Sequence, residues 1–309
     1  MMKAVRYHEY GDATALTLEE VPVPAPGPGQ VLVKVAATSF NPADATLRAG
    51  HLREVFPVAL PHVPGADVSG TVAALGADVS GPGEGAAVAG FLPLDGDGAA
   101  AEYVLAPADL LAPVPDGVDP VGAAALPAVG LTAWQALFEH GGLTAGQRVL
   151  VNGAGGGVGG YAVQLAHREG AHVTATASPR SAERVRGLGA DEIVDYTQAP
   201  VAKAARGPFD LVVNLVPTAP EDTDALAALT ADGGTFVTAT TEPSTAPGRG
   251  VTVTRMVVRS DPAQLATLLG LVAAGDLRIT ATRRPLPDLP AVHAEADRGA
   301  LHGKTVITV

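Results

Sequence analysis

The sequence predicts an α/β chain: a doubly wound parallel-sheet domain joined to a β-rich domain. Three observations predict it. From about residue 148 to 240, short apolar runs alternate with helical stretches, as in a parallel sheet wrapped by helices. One of these runs, "RVLVNGAGGGVGGYAVQLAHREG", passes from a strand through a glycine turn straight into a helix. The first third instead carries short β-favouring stretches broken by glycine and proline, as in a small irregular barrel.

Each element follows from local chemistry. "KAVRYHEY", "TLEEVPV" and "QVLVKVAATSF" read as strands, the last two separated by the loop "PVPAPGPGQ". "DVSGTVAALG", "GAAVAGF" and two short strands within "AAAEYVLAPADLLAPVP" continue the pattern. The character changes near Asp119. "DPVGAAALPAVGLTAWQALFEHG" is helical, with a break at Pro127. "RVLVNGA" is a strand, and "GVGGYAVQLAHREG" is a helix ended by Gly170. "HVTATA" is a strand, "SAERVRGLG" a helix with a Ser cap, and "EIVDY" a short strand. "FDLVVNLV" is a buried strand, "DTDALAALTADG" a helix and "GTFVTAT" a strand. "PAQLATLLGLVAAG" is a helix, and the closing segment returns to strand, helix, strand.

With 309 residues the chain has room for about two domains. Hydrophobic residues are 47% and charged residues 17%, which supports a substantial core and excludes intrinsic disorder. A net charge of −12 argues against binding the nucleic-acid backbone. Without cysteine there are no disulfides, no thiolate metal ligands and no thiol nucleophile. The start lacks an apolar signal core, and no apolar run reaches the ~18 residues of a membrane span, so the expected location is the cytoplasm.

The glycine turn carries the chemistry. Glycine lets backbone approach a phosphate with no Cβ in the way, and the helix start behind it offers unpaired N–H groups. The G-x-G-x-x-G pattern fits Gly155, Gly157 and Gly160, and in a variant form Ala154, Gly156 and Gly159. Alone, such a run is equally a turn with no ligand; the strand before it and the helix after it favour a dinucleotide. About 20 residues on, a carboxylate would take the ribose 2′-hydroxyl of NAD. Here the residues read "TASPRSAERVR", with Ser178 and Arg180 beside the strand end and no acid at that end. Arg180 suits a 2′-phosphate, so the expected cofactor is NADPH. The other reading of Arg180, Arg184 and Arg186 is a solvated helix face, and it is assigned to the last two.

Six stretches together resemble one family. They are "SFNPADATLRAG" (39–50), "LPHVPGADVSGTVAALG" (60–76), "LPAVGLTAWQAL" (126–137), "VLVNGAGGGVGGYAVQLA" (149–166), "LGADEIVDY" (188–196) and "GKTVITV" at the end. Over its full length the chain resembles the medium-chain dehydrogenase/reductase superfamily, and within it the zinc-free NADPH:quinone oxidoreductases related to zeta-crystallin. The resemblance implies a GroES-like catalytic domain at 1–120 and 260–309, and a Rossmann NADPH-binding domain at 121–259. It favours the glycine register of Ala154, Gly156 and Gly159. Zinc-dependent relatives carry Cys where this chain has Asn41, and a His-Glu pair where it has Ala66 and Asp67, so no metal is expected. His51 and His62 are read as surface or loop residues.

The resemblance implies roles for further residues. Asn41 and Thr132 stand by the nicotinamide or the substrate oxygen, as catalytic and cofactor-binding groups in a cleft between the domains. Asn41 has the alternative of only satisfying its loop. The phosphates fall to Gly153, Ala154, Gly155, Gly156, Gly157, Val158 and Gly159. Thr176, Ser178, Arg180 and Tyr196 take the adenosine side. Because ligands sit beyond the carboxyl ends of parallel strands, Asn214, Leu215 and Val216 border the cofactor, as do Thr238, Ala239 and Thr240. Met256, Val257 and Val258 fall near the nicotinamide. Lys304 either reaches the cofactor or closes the fold, and Asp44 and Asp67 either serve the site, or simply stabilise loops or pair with Arg48. Water or the Thr132 hydroxyl supplies the proton. The expected reaction is hydride transfer from NADPH to a quinone. The alternatives are reduction of the C=C bond of an α,β-unsaturated ketone and a non-catalytic NADPH-binding role. The expected partners are a small-molecule acceptor and a second copy of the chain, paired through "VTVTRMVVR"; neither nucleic acid nor membrane is expected.

Overall fold

The structure is a computed structural model that describes residues 1–309. The chain divides into two compact units, one of Met1–Ala128 with Ser260–Val309 and one of Val129–Arg259.

The first unit is β-rich. Strands β1 (Met2–Tyr7) and β2 (Leu16–Val21) form an antiparallel pair. A seven-stranded sheet is built on β3 (Gln30–Phe40), β4 (Asp67–Leu75), β5 (Ala87–Phe91), β6 (Tyr103–Pro107), β7 (Leu111–Pro113), β14 (Thr282–Pro285) and β15 (Thr305–Thr308). Its order is β14-β15-β3-β4-β5-β7, with β6 also on β3. The alternating valines of β3 and β4 explain the inner face: Val31, Val33, Val35, Val68 and Val72 are buried with Val88, Leu92 and Leu111. Short α1 (Pro42–Arg48) follows β3, and α2 (Pro120–Ala123), α8 (Pro262–Ala274) and α9 (Leu289–Asp297) complete the unit. Asp261 caps α8, accepting from the N–H groups of Ala263 and Gln264 at 3.0 Å each.

The second unit is a six-stranded sheet in the order β10-β9-β8-β11-β12-β13, every pair parallel. Its strands are β8 (Arg148–Asn152), β9 (His172–Ala177), β10 (Glu192–Asp195), β11 (Phe209–Asn214), β12 (Thr230–Thr238) and β13 (Thr252–Arg255). The crossovers are α4 (Gly157–Glu169), α5 (Pro179–Gly187), α6 (Val201–Ala204) and α7 (Pro220–Ala227). Counted from β8, this is the doubly wound order 3-2-1-4-5-6, so the fold class is the expected one. The order reverses between β8 and β11, where such sheets open a crevice. Helix α3 (Pro127–Trp134) continues into a wider π-helical turn over Gln135–His140. The Gln135 carboxamide donates to Arg259 O at 3.0 Å and accepts from Arg259 N at 3.1 Å, tying this turn to the far end of the unit.

Two boundaries differ from the sequence reading. Helix α5 starts at Pro179, with Ser178 and not Ser181 at its cap; a proline at the first helical position is preorganised for that start. The stretch read as a helix through Gly233 ends at Ala227, because Thr230 already pairs with Phe209 in the sheet. Sheet pairing overrides the local helical preference there.

Candidate active site

The second unit supplies a backbone cradle. Gly153 leaves β8 with φ 97°, a conformation open to glycine, and a Cβ there would meet Val216 at 2.7 Å. Gly156 caps α4, leaving the N–H groups of Gly157, Val158 and Gly159 without partners inside the helix. Gly159 sits against the turn itself: a Cβ would lie 2.2 Å from Gly153 O and 2.5 Å from the Ala154 Cα. At Gly160 the nearest atom would be an ordinary 3.5 Å away. The close-packed glycine is therefore Gly159, which fits the register of Ala154, Gly156 and Gly159. Space kept free of side chains beside an open helix start fits a pyrophosphate.

Behind the cradle, the strand ends are joined by a polar rail. Thr176 Oγ1 accepts from Gly153 N at 2.8 Å and donates to Asn152 Oδ1 at 2.9 Å. Asn152 Nδ2 donates to Asn214 Oδ1 at 2.8 Å, and Thr240 Oγ1 donates to Val216 O at 2.8 Å. Asn152, Thr176, Asn214 and Thr238 are buried, so these bonds hold the ends of β8, β9, β11 and β12 in fixed relation. A cavity of about 780 Å³ opens beside the rail. It brings together the expected residues Gly153, Thr176, Tyr196 and Val216. It also has walls that the sequence reading missed: Asn152, Thr218, the segment Gln198–Lys203 and, on α7, Asp222 and Leu226. The short α6 gave no periodic signal of its own.

The other expected positions separate by exposure. Arg180 and Tyr196 are exposed on the α5 and β10 side, with Ser178 half-buried between α5 and β9. Arg184, read from sequence as part of a solvated helix face, is exposed and also donates from Nη2 to Gly155 O at 2.7 Å. Its position one turn after Arg180 on α5 was the available signal. Leu215 N donates to Asn152 O at 3.0 Å and Ala239 N to Asn214 O at 3.1 Å, continuing the rail. Met256 is buried while Val257 is 75% exposed, and Val258 is half-buried. Thr132 lies on α3 and is 9% exposed.

The first unit holds a second constellation, built from side chains. Sheet register explains it. Thr305 pairs with Phe40, so the next residues along, Lys304 and Asn41, face each other. Ala37 pairs with Ser69, which sets Ser39 opposite Asp67. Lys304 Nζ donates to Asn41 Oδ1 at 2.5 Å, to Asp67 Oδ2 at 3.0 Å and to Phe40 O at 3.1 Å. Asn41 Nδ2 donates to Asp67 Oδ2 at 2.8 Å, Ser39 Oγ donates to the same oxygen, and Ala128 N donates to Asp67 Oδ1 at 2.7 Å. Asp67 is fully buried and Lys304 is 4% exposed. Asp44 accepts from Asn41 N at 2.7 Å and Gly65 N at 3.2 Å. Burial pushes its carboxyl up to about 6, against those hydrogen bonds.

Two expectations change here. Arg48 pairs with neither Asp44 nor Asp67; it reaches Asp297 at 2.8 Å and 3.0 Å and Gly11 O at 3.2 Å. Its carboxylate partner comes from α9, 249 residues away in sequence, which no local pattern reveals. His62 is not a surface residue: it is 4% exposed, bridges backbone with Tyr7 and stacks edge-on against that ring at 5.3 Å. His293, on α9, is buried against Phe40 with both ring nitrogens unpartnered, and burial holds it down at about 3. The residues at Asn41 and Asp67 do not fit a zinc ion. The ammonium of Lys304 already supplies a cation between them, and no three His, Asp or Glu side chains converge anywhere in the molecule.

Comparison with known proteins agrees with this architecture. Residues 27–116 match the family model described as alcohol dehydrogenase GroES-like domain, and residues 188–307 that described as zinc-binding dehydrogenase. The chain is 40% identical over 224 residues to a chloroplast envelope quinone oxidoreductase homolog of Arabidopsis thaliana, covering 69% of this chain and 68% of that one. It is 40% identical over 206 residues to a 2-methylene-furan-3-one reductase of Solanum lycopersicum, covering 64% and 53%. The solved quinone oxidoreductase of Coxiella burnetii superposes with a TM-score of 0.89 at 30% identity, covering 100% of this chain and 99% of that one. The mycobacterial protein Rv1454c, complexed with NADPH, superposes with a TM-score of 0.87 at 28% identity over the whole of both chains.

Proposed function

Because the chain belongs to the medium-chain dehydrogenase/reductase superfamily, and within it to the quinone oxidoreductase family, we propose that this oxidoreductase transfers a hydride from NADPH to a quinone. The observation that carries the reading is the glycine cradle, where a Cβ on Gly159 has no space, followed by a strand end that offers arginine and no carboxylate. A bound dihydronicotinamide supplies the hydride. The chain's own residues bind and orient. Gly153 to Gly159 receive the pyrophosphate, and Arg180, with Ser178 and Tyr196, the adenosine 2′-phosphate. Asn41 and Thr132 serve the nicotinamide end, and Asn41 offers an N–H to the acceptor oxygen. Two electrons and a proton arrive as hydride, and a second proton from water or the Thr132 hydroxyl completes the hydroquinone. The delocalised anion that precedes this protonation needs no Lewis acid.

The second reading is reduction of an enone C=C bond, favoured by the similarity to the Solanum protein. NADPH oxidation measured with a panel of quinones, enones and enoyl thioesters separates the two. Turnover of quinones above enones is expected; NADPH binding without turnover of any acceptor would replace both readings with a non-catalytic one. The proposal includes a homodimer, supported by the free edge of β13, where Val253 is 37% exposed, and by Val257 just beyond that strand, 75% exposed. Light scattering at twice the 30.9 kDa chain mass is expected, and a monomer would overturn it. No helix is long and apolar enough to cross a membrane; the cytoplasmic location stays part of the proposal, to be checked by cell fractionation.

A further inference from the structure

Lys304 has three donors, and all three are engaged inside the first unit, on Phe40 O, Asn41 Oδ1 and Asp67 Oδ2. An ammonium with no donor left has none to give a cofactor phosphate or ribose. Its effect falls on Asn41. That carboxamide lies between charges of opposite sign, with its oxygen on the ammonium and its nitrogen on the Asp67 carboxylate. Turning the amide over would set oxygen against carboxylate and N–H against ammonium. Two charge-assisted contacts would become two repulsions in a buried place. A neutral pair of neighbours would impose no such preference. The backbone is held as well, since Asn41 N donates to Asp44 and Phe40 O takes the third lysine proton. Of the two Asn41 Nδ2 hydrogens, one is on Asp67 and the other is left over.

We propose that Lys304 is a positioning residue for hydride transfer, fixing the Asn41 carboxamide so that its remaining N–H is presented to the acceptor oxygen. This rests on the proposed role of Asn41 and deepens it. A mere counter-ion to Asp67 would affect folding alone, and a cofactor ligand would affect NADPH binding. A positioning residue affects turnover, and only while Asn41 is present.

The test is a double-mutant cycle on the full chain: Lys304→Met, Asn41→Ala and both together, with Asp67→Asn/Lys304→Met as the charge-balanced variant should the lone substitution fail to fold. Thermal midpoint, NADPH dissociation constant by nucleotide fluorescence, kcat with a quinone and a crystal structure are measured for each. Lys304→Met is expected to lower kcat by about tenfold to a hundredfold and to move the NADPH dissociation constant less than about twofold. The double variant should be no slower than Asn41→Ala. In crystals of the charge-balanced variant, where neither neighbour carries a charge, the Asn41 amide should turn or lose its single orientation. Multiplicative losses in the cycle, a rise of about tenfold or more in the dissociation constant, or an Asn41 amide unmoved in the crystal would each overturn the proposal. If the wild type turns over no acceptor, the functional reading fails separately. The crystal structure and the NADPH titration then decide whether Lys304 orients Asn41.

Discussion

The glycine cradle and the Lys304–Asn41–Asp67 cluster do comparable work by opposite means. The cradle is made of backbone and of room kept clear, so anything added there is the hazard. The cluster is made of side chains whose charges and donors are matched, so anything removed is the hazard. The first has no room for added volume: a Cβ on Gly159 would lie 2.2 Å from Gly153 O. The second tolerates neither partner leaving alone, because a buried charge without its opposite is costly.

Substitutions can break that contrast. Asp67→Asn should cost about 3–5 kcal/mol, since it strands a buried ammonium; Asp67→Asn/Lys304→Met should recover most of the loss, read from urea midpoints. No recovery would mean that the two charges are not a matched pair. Gly159→Ala should lose about 1–3 kcal/mol by overpacking and weaken NADPH at least about tenfold by calorimetry. Gly160→Ala next door should leave both nearly unchanged. Equal effects at the two glycines would refute the cradle geometry. Arg180→Ala should raise the KM for NADPH about tenfold while barely moving that for NADH. A parallel rise for both nucleotides would show that the arginine does not read the 2′-phosphate.

A last effect concerns acid. His293 is held down at about 3 from its usual 6.5 by burial, and by the nearby Arg48 charge. Between those values the unfolded chain binds a proton that the folded chain refuses, so stability falls as pH drops from 6.5. Asp44 has the opposite sign: raised from 3.8 to about 6 by burial, it favours the folded state at low pH and withdraws that support as pH rises through 6. His293→Leu should therefore flatten the loss of thermal midpoint between pH 7 and pH 4. At pH 7 it should gain about 1 kcal/mol by removing two unpartnered nitrogens. An unchanged acid slope would show that other groups set it.

The same contrast decides what the sequence reveals. The cradle occupies consecutive residues, Gly153 to Gly159, and its strand and helix flank it, so spacing alone exposes it. The alternation of β8 to β12 with α4, α5 and α7 is likewise local, and the doubly wound sheet follows from it. The cluster is assembled from residues 39, 41, 67 and 304, which meet only through the register of β15, β3 and β4. Family resemblance brings Asn41 and Lys304 to notice, yet not the bond between them. The burial of His62 and the reach of Arg184 to Gly155 are tertiary facts of the same kind. Where a boundary slipped, as between α7 and β12, a sheet partner overrode a helix-forming run.

The split of the first unit across the chain has a consequence for biosynthesis. The second unit is one continuous stretch, Val129–Arg259, whereas the first needs Ser260–Val309 before β15 can pair with β3. During translation the parallel sheet can form first, while the half-made first unit waits with Asp67 still hydrated. Ribosome-bound chains halted before Lys304 should resist protease over 129–259 and be cut within 1–128; protection of both halves would mean that the first unit's sheet forms without its last strand.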